Sequence, residues 1–67
     1  MNETYIADVT VHEVNPNGWV NVIDKNKQPY GITQFGVKGI KNIKKGTKAK
    51  LYIRETEQFT FYFLRPT

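Results

Sequence analysis

The sequence predicts a small all-β protein whose five strands close into a barrel. Several short segments alternate between apolar and polar residues, and clusters of Gly, Pro, Asn and Asp separate them. No amphipathic stretch of normal helix length is present. The chain of 67 residues is long enough for one domain, 1–67, and a core of this size supplies only about 3–5 kcal/mol of stability.

The first predicted strand covers residues 4–14, which are rich in β-branched side chains. Its alternation places one set of residues on one face: Tyr5, Ala7, Val9 and Val11. Val14 breaks this alternation, so a β-bulge or the strand end is expected near residues 12–13. Residues 15–18, Asn-Pro-Asn-Gly, combine the residue types that favour a tight turn and predict the first hairpin connection.

Two more strands are predicted before the middle of the chain. In residues 19–24, Val20 and Val22 share one face. Residues 24–29 are polar and end in Pro, which predicts a loop. Residues 30–35 form the third predicted strand, in which Gly31 is unfavourable and the inward face stays open.

A basic, Gly-containing connector, residues 36–47, precedes the last two strands. It is expected to be a loop with one helical turn that points Ile40 and Ile43 into the core. Residues 48–55 alternate cleanly, with Ala49, Leu51 and Ile53 inward. A tight turn centred on residues 56–57 leads to the last strand, residues 58–65. Either its Phe set (59, 61, 63) or the alternate set (60, 62, 64) is buried, and the sequence leaves this open.

The order of three strands, a connector and two strands fits a five-stranded Greek-key barrel of OB type. Closing the sheet removes the edges that such short strands would otherwise expose. An SH3-like barrel is the alternative architecture.

The charge of the chain is unevenly distributed. Ten basic and six acidic residues give a net charge of +4 and a pI near 9.5. Residues 1–24 contain four acids and no Lys or Arg, whereas residues 25–54 contain nine bases and no acid. A cationic region of this kind favours a polyanionic partner, and its plain alternative is a solvated surface.

Single-stranded nucleic acid is the partner class that this composition favours. Its binding requires cations along the phosphates and flat side chains for the bases, and the chain has one Trp, four Tyr and four Phe. Trp19, Tyr30 and Tyr52 are the candidate stacking residues, each with a packing role as the alternative, whereas Phe35 is expected in the core. The candidate site comprises Trp19, Asn21, Tyr30, Lys38, Lys41, Lys48, Lys50, Tyr52 and Arg54. Within it, the row from Lys48 to Arg54 is the segment most expected to contact a ligand.

The connector region resembles the cold-shock family of small OB-folds. That family reads roughly G-x-K-x-L-x-x-G-x-x-V-x-F before and into its fourth strand, and residues 39–51 read GIKNIKKGTKAKL. The small bacterial translation initiation factor of S1 type is similar at a coarser level. These resemblances imply an OB barrel, and the cold-shock family binds single strands through two aromatic motifs on its second and third strands.

The aromatic motifs of the cold-shock family are only partly present. Its K-G-F-G-F-I motif corresponds to residues 17–22, NGWVNV, in which Gly18 and Trp19 match and Asn21 replaces an aromatic residue. Its V-F-V-H-F motif corresponds to residues 31–35, GITQF, in which only Phe35 matches. The loss of these rings favours a second hypothesis, a protein-binding module that acts as a subunit or inhibitor.

Other functional classes find little support in the sequence. No nucleophile–base arrangement, paired carboxylates or phosphate-binding loop is present, so we expect neither catalysis nor a cofactor. The chain has no Cys, and the single His12 lacks metal-ligand spacing around it. The N-terminal residues lack a signal pattern and no stretch is long enough to cross a bilayer, which predicts a soluble, cytoplasmic protein. The oligomeric state stays open.

Overall fold

The computed structural model of the protein describes residues 2–67. These residues form one antiparallel sheet in the order β3-β2-β1-β4-β5. Its elements are β1 (Asn2–Val14), β2 (Val20–Asp24), β3 (Pro29–Ile32), the 3-10 helix η1 (Gln34–Val37), β4 (Lys48–Glu55) and β5 (Thr60–Pro66). The sheet curls strongly into a half-barrel, and the rings of Tyr30 on β3 and Tyr62 on β5 approach to 5.6 Å between centroids. The all-β prediction is thereby confirmed.

The hydrophobic core lies on the concave side of this sheet. Its buried members are Val9, Val11, Val20, Val22, Ile32, Ala49, Leu51 and Leu64. The valines of β2 and the inward residues of β4 occupy the positions that the alternation predicts. Half-buried Ile40 and Ile43 pack against this core from the connector, as expected. No helix within residues 2–67 has the length and apolar character needed to span a bilayer.

Two bulges divide β1 into three short registers. The first lies between Val11 and Glu13, where the sequence predicts it. The second lies between Tyr5 and Ala7 and is not apparent from the alternation. Because a bulge inserts one residue, it reverses which side chains face the core. The prediction that Tyr5 shares a face with Ala7 is therefore wrong, and Tyr5 lies opposite Tyr52 on the convex side, 48% exposed.

The β1–β2 and β2–β3 connections have the predicted turn chemistry. Gly18, at φ 95°, donates its N–H to the Asn15 carbonyl at 3.0 Å. In the following loop, the Asp24 carboxylate accepts the N–H groups of Asn26 and Gln28 at 2.8 and 2.9 Å. These bonds keep the two hairpins short and leave β1 as the strand that both halves of the sheet share.

The third strand is shorter than predicted. It ends at Ile32, and the chain then forms η1 instead of continuing to residue 35. Phe35, expected in the core, is 65% exposed, so that prediction is wrong. The physical reason is Gly36, which η1 presses against β5: a Cβ there would lie 2.5 Å from the Tyr62 carbonyl oxygen and 2.7 Å from an Ile32 methyl. This close packing turns Phe35 outward.

The structure resolves the face of β5 that the sequence leaves open. Leu64 lies opposite Leu51, so the alternate set faces the core and Phe61 and Phe63 face outward. The β4–β5 connection is a four-residue turn, Thr56 to Phe59, rather than the tighter turn predicted at 56–57. Thr56 donates its N–H to the Phe59 carbonyl at 2.9 Å, and Phe59 donates its N–H to the Thr56 hydroxyl at 3.0 Å.

Candidate nucleic-acid interface

The convex side of β1, β4 and β5 carries a continuous cluster of rings and charged groups, which we call the aromatic face. Its members on β4 and β5 alternate with residues that face the core, and its two members on β1 precede the bulge between Tyr5 and Ala7. Phe59 belongs to the β4–β5 turn, next to Phe61. Its members are Glu3, Tyr5, Tyr52, Arg54, Phe59, Phe61, Phe63 and Arg65.

Five rings of the aromatic face form one chain of contacts. Tyr5 meets Tyr52 edge to face, with centroids 5.8 Å apart, and Tyr52 stacks on Phe63 at 5.5 Å. Phe63 then approaches Phe61 at 6.2 Å, and Phe61 approaches Phe59 at 5.6 Å. These separations are those of attractive aromatic pairs, so the rings hold one another in place.

Two guanidinium groups lie over the middle of this ring chain. The Arg54 guanidinium is 5.0 Å from the centre of Phe63 and 5.8 Å from that of Phe61. The Arg65 guanidinium is 5.2 Å from the centre of Phe63 and 5.4 Å from that of Tyr52. All four distances lie within the range of cation–π attraction. Both guanidinium groups therefore lie over the Phe63 ring, and each has a second ring contact.

A single carboxylate joins the two arginines. Glu3 accepts a hydrogen bond from Arg54 Nη2 at 2.7 Å through Oε2, and from Arg65 Nη2 at 2.6 Å through Oε1. The hydrogen bond from Arg65, followed by that from Arg54, holds the pKa of Glu3 below its ordinary value. The same carboxylate raises the pKa of Arg65. The cluster consequently keeps a net positive charge over a wide pH range.

Lysines extend the positive charge along β4. Lys50 lies directly opposite Arg65 in the β4–β5 ladder, and the exposed Lys48 lies two residues earlier on the same side. Like charges placed directly opposite one another destabilise a sheet. Asp8, opposite Lys50 on β1, offsets this repulsion in part, although its carboxylate also accepts the Tyr5 hydroxyl at 2.9 Å. An arrangement that costs stability in the free protein favours an anionic ligand.

The rings differ in how much surface they offer to a ligand. Phe59 is 58% exposed and Tyr5 remains open at the other end of the ring chain. Tyr52, Phe61 and Phe63 are half-buried beneath the arginines and their neighbours. Flat surface is therefore available on the two end rings and on the guanidinium planes between them.

The helix η1 and Lys38, which follows it, add a further ring and cation beside β5. Phe35 is exposed, and the Lys38 Nζ lies 5.1 Å from the centre of its ring. A depression of about 410 Å³ separates η1 from the β4–β5 turn. Its lining residues are Thr33, Phe35, Arg54, Thr56, Phe59 and Phe61. The aromatic face is thus continuous with the exposed ring on η1.

The site residues predicted on β4 lie together on one side of the sheet. Lys48, Lys50, Tyr52 and Arg54 form the outward row that the alternation indicates. Tyr52 nevertheless supports other rings more than it offers a free surface. Lys38 joins this region through Phe35, and exposed Lys41 lines a depression that it shares with Lys48.

The remaining predicted site residues lie elsewhere. Trp19 and Asn21 are on the convex side of β2, next to the C-terminal end of β1, where Asn21 donates a hydrogen bond to Glu13 at 3.4 Å. Val14, the partner of Val20, is nine residues from Tyr5, roughly 30 Å along an extended strand. Tyr30 faces inward, half-buried against the core. The structure therefore does not bring these three residues into the aromatic face.

Sequence reasoning identified only Tyr52 and Arg54 among the eight members of the aromatic face. It missed the other six: Glu3, Tyr5, Phe59, Phe61, Phe63 and Arg65. The repeat of Phe at 59, 61 and 63 is a signal for one shared face, but it does not reveal which side that face is on. Glu3 lies 62 residues before Arg65 in the chain, so no local pattern relates them.

Comparison with known proteins adds no relative. No family model, no curated protein and no solved structure matches the chain. Residues 2–67 contain no group of three or more His, Cys, Asp or Glu side chains placed to hold a metal ion.

Proposed function

We propose that this protein binds single-stranded DNA or RNA, with little sequence preference, on the aromatic face. The observation that carries the proposal is the pair of arginines held over a continuous ring chain, with two lysines alongside. Proteins that bind single strands combine such cations with aromatic platforms, and each base stacked on a ring contributes roughly 1–3 kcal/mol.

The geometry supports a specific division of roles. Phe59 and Tyr5 are the exposed rings at the ends of the ring chain, and they would receive bases. Arg54, Arg65 and Lys50 lie between and beside them, and they would contact phosphates. Stacking tolerates every base because each has a flat face, so this arrangement favours binding with low sequence specificity.

We also propose that the half-barrel belongs to the OB-type Greek-key barrels. Two features support this reading: β1 pairs with both β2 and β4, and the outer strands β3 and β5 approach each other through Tyr30 and Tyr62. In such a barrel the aromatic face lies on the β1, β4 and β5 side, whereas the partial cold-shock motifs lie at the start of β2 and from the end of β3 into η1. The proposed site therefore differs in position from the one that the resemblance implies.

The test is a titration of fluorescein-labelled oligo-dT and oligo-U at low and at moderate salt. We expect binding at low salt, with the logarithm of the association constant falling by about 0.7 per logarithm of salt for each phosphate neutralised. Trp19 fluorescence is expected to change little, because Trp19 lies near the other end of β1. No binding to either oligonucleotide at low salt would reject the proposal.

A pair of charge reversals locates the phosphate contacts. Lys48→Glu with Lys50→Glu should weaken binding and flatten the salt dependence, because both side chains lie beside the arginines. Lys44→Glu with Lys45→Glu changes the charge equally in the exposed connector and should weaken binding less. Equal losses in the two variants would mean that net charge, and not the aromatic face, determines affinity.

A protein partner is the second candidate. The depression between η1 and the β4–β5 turn favours a protein partner, because its surface is concave and largely apolar. Phe35 and Phe59 flank it, and each is more than half exposed. A partner's apolar side chain would fill this depression. The same titration separates the candidates, since a site for protein alone predicts no oligonucleotide binding at low salt.

A further inference from the structure

We propose that Arg54 and Arg65 form a phosphodiester subsite, which Glu3 occupies in the free protein and which the phosphate of a bound single strand takes over. This inference rests on the proposed function and identifies the group that the centre of the aromatic face recognises. In the free protein Glu3 would occupy the place of that phosphate, and its competition with the phosphate would lower the affinity for nucleic acid.

The geometry of the ion-pair cluster carries the inference. Glu3 presents one oxygen to each guanidinium, at 2.7 Å to Arg54 and 2.6 Å to Arg65. A phosphodiester likewise presents two anionic oxygens, and Arg recognises carboxylate and phosphate by the same paired N–H donors. A phosphate placed at the carboxylate's position would therefore find both donors already oriented.

The arginines do not depend on Glu3 alone for their positions. Each guanidinium lies near Phe63, at 5.0 Å for Arg54 and 5.2 Å for Arg65. Phe61 and Tyr52 provide a second ring contact for Arg54 and Arg65 respectively. The subsite is thus preformed on the rings, and departure of the carboxylate leaves the two cations in place for another anion.

Glu3 is also placed so that it can leave at little cost. Its side chain is 31% exposed, near the start of β1, and the Arg65 side chain is 49% exposed. Ion pairs at the surface contribute little to stability because water and salt screen them. Arg54 Nε is in addition buried without a hydrogen-bond partner, so the present arrangement leaves one of its donors unsatisfied.

The test compares Glu3→Gln with Glu13→Gln for binding of labelled oligo-dT. Both changes remove one negative charge from β1, and Glu13 lies at the far end of the strand beside Asn21. We expect Glu3→Gln to bind about threefold to tenfold more tightly than wild type at low salt, since the arginines lose their internal counter-charge. Glu13→Gln should change affinity far less. Equal binding by Glu3→Gln would mean that Glu3 does not compete with the phosphate, and weaker binding would mean that Glu3 positions the arginines. Either result would overturn the inference.

A second measurement follows Glu3 itself in the wild-type protein. The carboxyl ¹³C resonance of Glu3 is titrated against pH with and without oligo-dT. If phosphate replaces the carboxylate, Glu3 loses both guanidinium partners and its pKa rises towards the ordinary value in the complex. An unchanged titration in the complex would overturn the inference while leaving the proposed function intact.

The outcomes also separate this inference from the proposed function. Binding by Glu3→Gln but not by wild type would support the subsite and reject nucleic-acid binding by the natural chain. Binding by neither protein would overturn both. Binding by both with equal affinity would keep the proposed function and reject the subsite.

Discussion

The two convex surfaces on either side of β1 differ in how their aromatic residues are arranged. On the β2–β3 side, Trp19 is 45% exposed, and its indole ring lies close to Gly31 on β3. A Cβ added at Gly31 would lie 3.9 Å from that ring. The nearby Asn21 amide bonds to Glu13. On the aromatic face, rings contact one another and carry guanidinium groups. The isolated ring of Trp19 covers a neighbouring strand, whereas the connected rings of the aromatic face carry the cations on which the proposed function depends.

The largest expected effect tests the close packing of η1 against β5, the strand that carries Phe61, Phe63 and Arg65. Gly36→Ala places a Cβ 2.5 Å from the Tyr62 carbonyl oxygen on β5. Overpacking of this kind typically costs about 1–3 kcal/mol, a large share of the roughly 3–5 kcal/mol available to a domain of this size. Urea denaturation should show the loss, and hydrogen exchange should show that β5 loses protection before β2, which Gly36 does not contact.

Gly39→Ala is the matched control for this change. A Cβ at Gly39 would lie 3.5 Å from the Leu64 carbonyl oxygen, an ordinary contact, so its stability should stay within about 0.5 kcal/mol of wild type. If Gly36→Ala were as stable as Gly39→Ala, the connector would not press on β5 as the structure indicates.

An intermediate effect contrasts one ring from each surface. Phe59→Ala should weaken oligo-dT binding by about 1–3 kcal/mol, because an exposed end ring of the aromatic face is removed. Trp19→Ala should leave the affinity nearly unchanged. Fluorescence anisotropy of a labelled oligonucleotide measures both without relying on the indole. The reverse ranking would move the site to the β2–β3 side.

The smallest expected effect concerns stability at low pH. The pKa of Glu3 is lowered in the folded protein by its two arginine partners, so the ionised form stabilises the fold above the unfolded-state pKa. That contribution is lost as pH falls below about 4.5 and through the lower, folded-state pKa. The melting temperature of wild type should therefore fall more steeply below this pH than that of Glu3→Gln. Identical pH profiles would mean that the ion pairs contribute nothing in solution.

The fold was predictable where local alternation and turn chemistry act alone. β4 has the bounds that its pattern predicts, and the bulge near Val11 follows from the broken alternation at Val14. The bulge near Ile6 was not predictable, because an extra residue there leaves no local mark when both neighbouring faces carry apolar side chains. That single residue decides that Tyr5 lies outside.

The orientation of β5 illustrates a different limit. Any even number of turn residues after Glu55 places Leu64 inward, and any odd number places Phe63 inward. The sequence predicts a turn but does not state its length, so the Phe set could not be assigned. The same limit applied to the candidate site. Its residues on β4 were predictable, whereas those on β5, including Arg65, were not.

The close packing of η1 on β5 also has a consequence for the chain outside its native state. Residues 59–64, Phe-Thr-Phe-Tyr-Phe-Leu, contain no charge and no Pro, a composition typical of segments that assemble into fibrils. In the folded chain β4 pairs with one edge of this segment, and η1 at Gly36 lies against the backbone of Tyr62 and Phe63. The short helix therefore covers part of this strand, and its displacement would expose backbone groups that are able to pair with a second copy of the chain.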